Sequence, residues 1–497
     1  MRQALWILRK DIRRMRPRIA VVWLLMAAAA VADSAAGRHP QLANMRAYLV
    51  PVTLAQWFLV ISVVQDDRLV GDRQFWITRP YSWKSLLLAK GLFVLLFVSL
   101  PELLDHVVAL MVNGFSPLHY FSSLLWEEAG LAVGLLFVLV LASLTSNIVQ
   151  IVLAGLAGFL VLILGSEFAV RAGSPGTLAL GTAQPVETVL QGVIATLFAG
   201  LACWRQFSQR DTWRAGVLFV CGLLLLLPFY TFVPWETAFH LMAARLPPVD
   251  STAVRLEGDP GRKVGVGATH QEEGRIAMAL PIRVTGVPYG MEVYSERVKI
   301  ALHAADGAVW NTGLGTYNVI QDRALEPEAI YRRLPGKGEP YWLTANIDKS
   351  FYHDHGDEPV QVHATVAFTM LGRAQTTAVS RMGEPQAVAG SGVCEFSKRE
   401  PSVRVLCIAP LRKPALTVVR FDPLPPGYPI GLVSLDRPPT GGSDLGGFGI
   451  WRVSQSGMMT APPEPFAMSV EIRQAVAHFE RELDIPGVRL KEFEEHE

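Results

Sequence analysis

The chain has 497 residues, a formal net charge of +1 and 18% charged residues, below the roughly 25% that soluble domains usually carry. The low fraction of charged residues argues against an ordinary cytosolic enzyme. The near-zero net charge gives no electrostatic basis for binding nucleic acid. The two halves differ in composition, because 9 of the 33 prolines fall in residues 1–233 and the other 24 in residues 234–497.

Residues 1–16 predict an amphipathic interfacial helix. An apolar stripe recurs at helical spacing and consists of Leu5, Leu8, Ile12 and Met15, and six of the other positions are Lys or Arg. Such a helix lies on the inner leaflet with its cations near anionic lipid headgroups. The same residues also fit a basic flank that only sets topology. A further alternative is a signal peptide that is cleaved before Asp33, after the small-residue triplet Ala30-Val31-Ala32.

Residues 17–235 predict a polytopic α-helical membrane domain with about six or seven transmembrane helices. A helix needs about 20 apolar residues to cross the hydrocarbon core, where the backbone finds no other hydrogen-bond partner. The candidate spans are about 19–36, 48–65, 86–106, 129–146, 148–168, 189–204 and 215–233. Pro101 predicts a tilt or break in the third span.

The distribution of Lys and Arg predicts the orientation. With the amino terminus inside, the inner segments hold 14 of these residues and the outer connections hold 3, which is the excess that marks a cytoplasmic side. Trp204, Trp213 and Trp235 lie where interfacial anchors are expected. Seven crossings would place the rest of the chain outside the cytoplasm, in a multi-pass protein of the plasma (inner) membrane.

The acidic residues Glu102 and Asp105 and the neighbouring His106 share one face of the third predicted span, a possible intramembrane polar face. Ionisable groups within hydrocarbon are functional candidates by default. Glu102, however, lies about 25 Å along the helix from Leu86, so solvation at the outer interface is the simpler interpretation and a substrate or proton role the alternative. Lys90 lies one turn inside the span and is expected to snorkel towards the headgroups.

Residues 250–497 predict an extracytoplasmic domain that is all-β or mainly β and sandwich-like. Apolar residues alternate with variable neighbours in several stretches, which are 276–284, 298–302, 360–370, 403–407 and 416–420, as in strands buried on one face. By contrast, residues 468–483 predict a helix that packs against the sheet. Whether this region forms one or two subdomains stays open.

Cys394 and Cys407 are candidates for a disulfide in this region. They lie 13 positions apart around a polar stretch, and two flanking strands would bring them within bonding distance. Such a bond would form only in an oxidising compartment. Spacing alone does not establish connectivity, and two buried thiols in a domain that faces the cytoplasm are the alternative.

The chain shows no sequence motif for catalysis, cofactor binding or metal binding. It lacks the phosphate-binding pattern G-x-x-x-x-G-K-[ST], the nucleophile elbow G-x-S-x-G and the zinc motif H-E-x-x-H. His353 and His355, beside acidic residues, fit an exposed turn at least as well as a metal site. We therefore predict no catalytic, cofactor-binding or metal-binding residues.

The loop between the second and third predicted spans, residues 66–85, carries the strongest functional signal. It is charged and aromatic-rich, ends a short helical stretch at Arg79-Pro80 and restarts at a Ser82 cap. With the basic helix before the first span, it resembles the permease subunits of type-2 ABC transporters. The matching positions are Asp66 or Asp67, Gly71, Arg79-Pro80-Tyr81-Ser82 and Leu86 to Lys90.

The resemblance implies a permease subunit of an ATP-driven ABC-type export system, with no ATPase site of its own. Its loop would contact a separate ATP-binding-cassette ATPase subunit through Asp66, Asp67, Gly71, Phe75, Trp76, Arg79 and Pro80. Its other expected contacts are membrane lipid and a second permease, in a homodimer or heterodimer. The chain differs from that family in its seven predicted spans and its outer domain. The alternative is a non-transporting polytopic membrane anchor that displays a β-sandwich for binding or sensing.

Overall fold

A computed structural model describes sixteen ranges of the chain. The ranges are 1–36, 49–67, 82–171, 184–226, 235–244, 251–258, 274–311, 340–379, 381–388, 392–399, 402–410, 415–422, 433–436, 451–455, 459–460 and 467–493.

The first half of the described chain is helical. The helices are α1 (Arg2–Ala36), α2 (Leu49–Gln65), α3 (Trp83–Val94), α4 (Leu100–Val112), α5 (Phe121–Leu144), α6 (Ile148–Arg171), α7 (Gln184–Gln209), α8 (Thr212–Leu226) and α9 (Trp235–Ala243). Three helical segments are long and apolar enough to cross a membrane, and they cover Arg2–Ala35, Trp83–Val112 and Leu124–Leu144. Shorter apolar helices cover Val50–Gln65, Ile148–Gly158 and Thr212–Leu226.

Helix α1 continues without interruption through Pro17, so residues 1–16 are not a separate element. One stripe of this helix packs into the apolar core of the bundle, and it includes Ala4, Ile7, Leu8, Met15 and Ile19. Leu8 and Met15 of the predicted lipid-facing stripe are therefore buried against protein, whereas Leu5 is 52% exposed.

Contacts between helices fix their relative directions. Lys90 of α3 contacts Asp11 near the start of α1, and Asn113, just after α4, donates a hydrogen bond to the carbonyl oxygen of Ser34 near the end of α1. Helix α1 therefore runs parallel to α3 and α4. A π-helical turn, Leu95–Ser99, joins α3 to α4 just before Pro101, where the sequence predicts a tilt or break.

The carboxyl ends of three further helices meet at one end of the bundle. Gln65 at the end of α2 donates a hydrogen bond to the carbonyl oxygen of Thr145, directly after α5. Gln206 in the last turn of α7 donates one to the carbonyl oxygen of Ser143. Because α1 and α3 begin at this end, we call it the basic end, and we call the other the opposite end.

The second half is mainly β, as predicted. Its strands are β1 (Arg255–Gly258), β2 (Arg275–Thr285), β3 (Glu292–His303), β4 (Val309–Asn311), β5 (Pro340–Asp348), β6 (Pro359–Leu371), β7 (Gln375–Val379), β8 (Gln386–Val388), β9 (Gly392–Arg399), β10 (Ser402–Pro410), β11 (Ala415–Asp422), β12 (Val433–Asp436), β13 (Trp451–Gln455), β14 (Met459–Thr460) and β15 (Ala467–Arg489). A short helix α10 (Lys349–His355) follows β5, and a 3₁₀ turn (Leu490–Phe493) follows β15.

These strands form three antiparallel sheets. The strand orders are β1-β2-β5, β13-β10-β9-β8 with β14 beside β10, and β12-β11-β15-β6-β3-β4 with β7 beside β15. One apolar core lies between β2 and β5 on one side and β3 and β6 on the other, and a smaller core joins β9 and β10 to the first half of β15. Two cores thus share the long strand β15.

The prediction of a helix over 468–483 is wrong, because these residues belong to strand β15. The first part of β15 pairs with β11, from Ala467 to Gln474, and the second part pairs with β6, from Ala475 to Arg489. Pairing on long neighbouring strands outweighs the helix preference of its Ala, Glu and Gln residues, since strand propensity depends on packing context.

Candidate functional site: an ion network at the basic end

Lys90 is the centre of a buried ion network at the basic end of the bundle. Its side chain is 1% exposed. The ammonium nitrogen Nζ lies 2.8 Å from Oδ2 of Asp11 and 2.5 Å from Oδ2 of Asp67. It also donates a hydrogen bond of 2.7 Å to the carbonyl oxygen of Val63. The expectation that Lys90 snorkels towards the headgroups is therefore wrong.

Three different elements supply these charges. Asp11 lies on the buried stripe of α1, between Leu8 and Met15. Asp67 lies in the turn that follows α2, two residues beyond the last helical residue Gln65. Lys90 belongs to the buried face of α3. The network therefore holds the first three helices together where α2 ends and α3 begins.

Two further cations complete the network, which comprises Lys10, Asp11, Arg14, Asp66, Asp67 and Lys90. Lys10 Nζ lies 2.8 Å from Oδ1 of Asp67 and 3.3 Å from Oδ1 of Asp11. Arg14 Nη1 lies 2.8 Å from Oδ1 of Asp66. Three carboxylates and three cations balance in charge, as buried ionic groups require.

The environment of Asp67 favours its ionised form. Burial by itself would raise the pKa of this carboxyl group, because a low-dielectric surrounding disfavours charge. The charge of Lys90 and the hydrogen bonds from Lys10 and Lys90 outweigh burial and bring the pKa of Asp67 below its ordinary value of 3.8.

The network has members at the start of the loop 66–85 and just after its end. Asp66 and Asp67 are mostly buried against basic residues of the chain itself. Gly71, Phe75, Trp76, Arg79 and Pro80 lie outside the described residues.

The predicted Ser82 cap is confirmed. The backbone N–H of Ser85 donates to the Ser82 hydroxyl at 3.2 Å, and the backbone N–H of Ser82 donates to Oε1 of Gln3 at 3.3 Å. Helix α1 therefore contacts Asp66 and Asp67 at the start of the loop and also Ser82, the N-cap of α3.

Sequence reasoning overlooked Asp11, although a signal was present. Asp11 is the only acidic residue before Asp33, and it lies within the apolar stripe of a segment that is otherwise basic. A lone carboxylate on a face that packs against protein implies a buried cation nearby. The sequence does not reveal that this cation is Lys90, which lies 79 positions away.

The predicted polar face of the third span is also buried within the bundle. Glu102 is 7% exposed and His106 is 4% exposed, while Asp105 is half-buried. Gln56 on α2 donates a hydrogen bond of 2.7 Å from Nε2 to Oε2 of Glu102. Protein side chains therefore surround Glu102 and His106, which does not fit simple solvation at the interface.

The helical and β regions meet where α9 packs on β15. Phe239 is fully buried, and its ring contacts that of His478 edge to face at 5.7 Å between centroids. His240 Nε2 lies 3.4 Å from Oε2 of Glu480. Arg481 donates a hydrogen bond of 2.8 Å to the carbonyl oxygen of Val254. The segment before β1 and helix α9 are thus both fixed to one strand.

Cys394 and Cys407 lie directly opposite each other on β9 and β10, and their sulfur atoms are joined in a disulfide. Both residues are buried in the smaller core, beside Phe396 and Val405. Among the described residues, no group of three or more His, Cys, Asp or Glu side chains is arranged to hold a metal ion.

Comparison with known proteins adds no assignment, because neither a known protein family nor a characterised protein matches this chain.

Proposed function

We propose that the chain is the membrane-spanning permease subunit of an ATP-driven ABC-type export system. In this proposal the loop 66–85 contacts a separate ATPase subunit at the cytoplasmic face, with a second permease in a homodimer or heterodimer. The observation that carries the proposal is the contact of Lys90 with both Asp67 and Asp11. It ties the beginning of the loop to the helix that follows it and to α1.

This linkage has a mechanical consequence. Separating Lys90 from its two carboxylates would leave its buried ammonium group without ionic partners, at a cost of about 3–5 kcal/mol. A displacement of the loop is therefore expected to move α1, α2 and α3 together instead of distorting the loop alone. An ATPase that displaces the loop would in this way transmit its movement to the three helices of the membrane domain.

The outer domain completes the proposal. The bond between Cys394 and Cys407 fits a compartment that is oxidising, as outside the cytoplasm. Because α9 is fixed to β15 through Phe239 and His240, movements of the helical bundle would reach the β region. We propose that this region handles cargo or a partner on the outer side.

Co-purification tests the proposed ATPase contact. The full chain is isolated from its native membrane, and ATP-binding-cassette subunits that remain bound are identified by mass spectrometry. We expect such a subunit with the unmodified chain and its loss in the double variant Phe75→Ala, Trp76→Ala. Trp213→Ala is the matched control, because Trp213 is 79% exposed at the start of α8, at the same end of the bundle.

Two outcomes would contradict the proposal. One is a chain that carries no ATPase subunit. The other is equal retention of the subunit by the double variant and by the unmodified chain. Either result would favour the membrane anchor, an alternative supported by the size of the β region and its fixed attachment to α9.

A further inference from the structure

A second group of polar side chains lies away from the ion network, towards the opposite end of the bundle. Four helices contribute to this polar cluster, whose members are Asp33, Gln56, Glu102, Asp105, His106 and Glu128. Asp33 lies near enough to repel the charges of Glu102 and Asp105, and Glu102 in turn repels Glu128. The cluster is therefore acidic and contains one imidazole.

His106 gives the cluster an unusual property. Its side chain is 5% exposed, and neither ring nitrogen has a hydrogen-bond partner. Nε2 lies 3.8 Å from Oε1 of Glu102. Buried polar atoms are nearly always paired, so this imidazole is placed to accept or donate a proton beside a carboxyl group.

Three carboxyl groups of the cluster, those of Glu102, Asp105 and Glu128, have no cation beside them within the described part of the chain. Among the described residues, no Lys or Arg lies within ion-pair distance of Glu102, Asp105 or Glu128, in contrast to the ion network. An ionised carboxylate without a partner is strongly unfavourable inside a membrane protein. Within the described chain, Glu102 and Asp105 are therefore without a cation that would offset their charge.

A proton is the ligand that this geometry fits. The described side chains do not form a set that could hold a metal ion. A proton needs neither a coordination shell nor a cavity, and it removes the charge of a carboxylate directly. Asp105, which is half-buried, is the member of the triad through which water could exchange protons with the interior.

We propose that Glu102, Asp105 and His106 form a proton-binding site of the membrane domain. The proton on the Glu102 carboxyl group moves to Nε2 of His106 when the two side chains close their 3.8 Å separation to hydrogen-bond distance. The transfer converts a neutral pair into an ion pair of carboxylate and imidazolium. Asp105 passes protons between this pair and water, and Gln56 orients Glu102 through its hydrogen bond. The proposal is independent of any contact with an ATPase.

Carbodiimide labelling tests the site in the full chain, reconstituted in lipid nanodiscs. N,N′-dicyclohexylcarbodiimide adds to protonated carboxyl groups in apolar surroundings and does not react with the ionised form. We expect mass spectrometry to find the label on Glu102 or Asp105 and the labelling to decline as the pH rises. Glu102→Gln should abolish the label at position 102, and Asp211→Asn, at the basic end, should leave it unchanged.

Infrared spectroscopy provides a measurement that does not depend on reagent access. We expect a band of a protonated carboxyl group that disappears at high pH and is missing in Glu102→Gln. His106→Gln should shift the pH at which the band disappears, because the neighbouring proton acceptor is removed.

Three results would overturn the proposal. The first is the absence of any protonated carboxyl band, together with the absence of label, at every pH at which the protein stays folded. The second is suppression of labelling by Na⁺ or K⁺ at constant pH, which would identify an inorganic cation as the ligand. The third is an unchanged pH dependence in His106→Gln, which would remove the histidine from the site.

Discussion

Trp23 of α1 donates its indole N–H to the backbone carbonyl oxygen of Phe97, at 3.2 Å. In a regular α-helix the N–H of residue 101 would donate to this carbonyl group, which lies four residues earlier, but Pro101 has no N–H. The π-helical turn Leu95–Ser99 lies at this point, where the N–H of Leu100 reaches back to the carbonyl oxygen of Leu95. A side chain of a neighbouring helix thus compensates for the proline.

Trp23→Phe tests this compensation. In the unmodified chain the ring centroids of Trp23 and Phe97 are 5.8 Å apart. The variant keeps an aromatic ring that can stack on Phe97 but loses the hydrogen bond. We expect a loss of about 1 kcal/mol in unfolding free energy, measured by denaturation in mild detergent. Trp57→Phe on α2 is the control, because Trp57 is similarly exposed and its indole makes no hydrogen bond within the described chain. Equal effects of both substitutions would contradict the account.

Lys90→Met tests the ion network. The variant retains the length of the side chain but leaves Asp11 and Asp67 buried with one cation fewer, so we expect destabilisation by about 3–5 kcal/mol. Lys84→Met, at an exposed position of the same helix, should change stability by less than about 0.5 kcal/mol. Adding Asp67→Asn to Lys90→Met should recover part of the loss, because one uncompensated charge is removed. A double variant no more stable than Lys90→Met would argue against a charge effect.

The stability of the bundle should depend on pH through Asp67. Its pKa is lower in the folded protein than the ordinary value of 3.8. The ionised group therefore stabilises the fold fully above that value, and this contribution is lost as the pH falls through the lower pKa of the folded state. We expect thermal unfolding to show a steeper acid decline in the unmodified chain than in Asp67→Asn. Asp354→Asn, at an exposed position on α10, should retain the steep decline.

Phe239→Ala tests the joint between the helical and β regions. Phe239 is fully buried against β15, and removing such a ring usually costs about 3–5 kcal/mol. We expect limited proteolysis to cut residues 245–250, between α9 and β1, faster in this variant. Leu241→Ala in the same helix should not change the rate, since Leu241 is 51% exposed. Equal cleavage of both variants would mean that α9 does not hold the joint.

Periodicity in the sequence predicts much of the architecture correctly. The alternation in residues 276–284 and 360–370 identifies β2 and β6, because one face of each strand is buried in a shared core. The apolar run that begins near Leu86 identifies the third helical segment, which continues to Val112. Such patterns are local consequences of burial and can be recognised without knowledge of the partner elements.

The predictions that failed depend on contacts between distant residues. Strand β15 resembles a helix by composition, and its structure is set by pairing with β6, which lies more than 100 positions earlier in every pair. Lys90 near the end of an apolar helix normally snorkels, and it is buried here because Asp11 and Asp67 approach from other helices. Gln56 was overlooked for the same reason, although an amide in the middle of the apolar α2 is a signal for a buried polar partner.

The central claim is that the loop between α2 and α3 and the β region lie on opposite sides of a membrane. Single-cysteine labelling tests it most directly, with Gln74→Cys in the loop or Tyr289→Cys, at an 82% exposed position, introduced into a chain carrying Cys203→Ser and Cys221→Ser. A membrane-impermeant maleimide added to intact cells should label the cysteine at 289 and leave the one at 74 unmodified, with the reverse in inverted vesicles. Labelling of both positions from the same side would contradict the account.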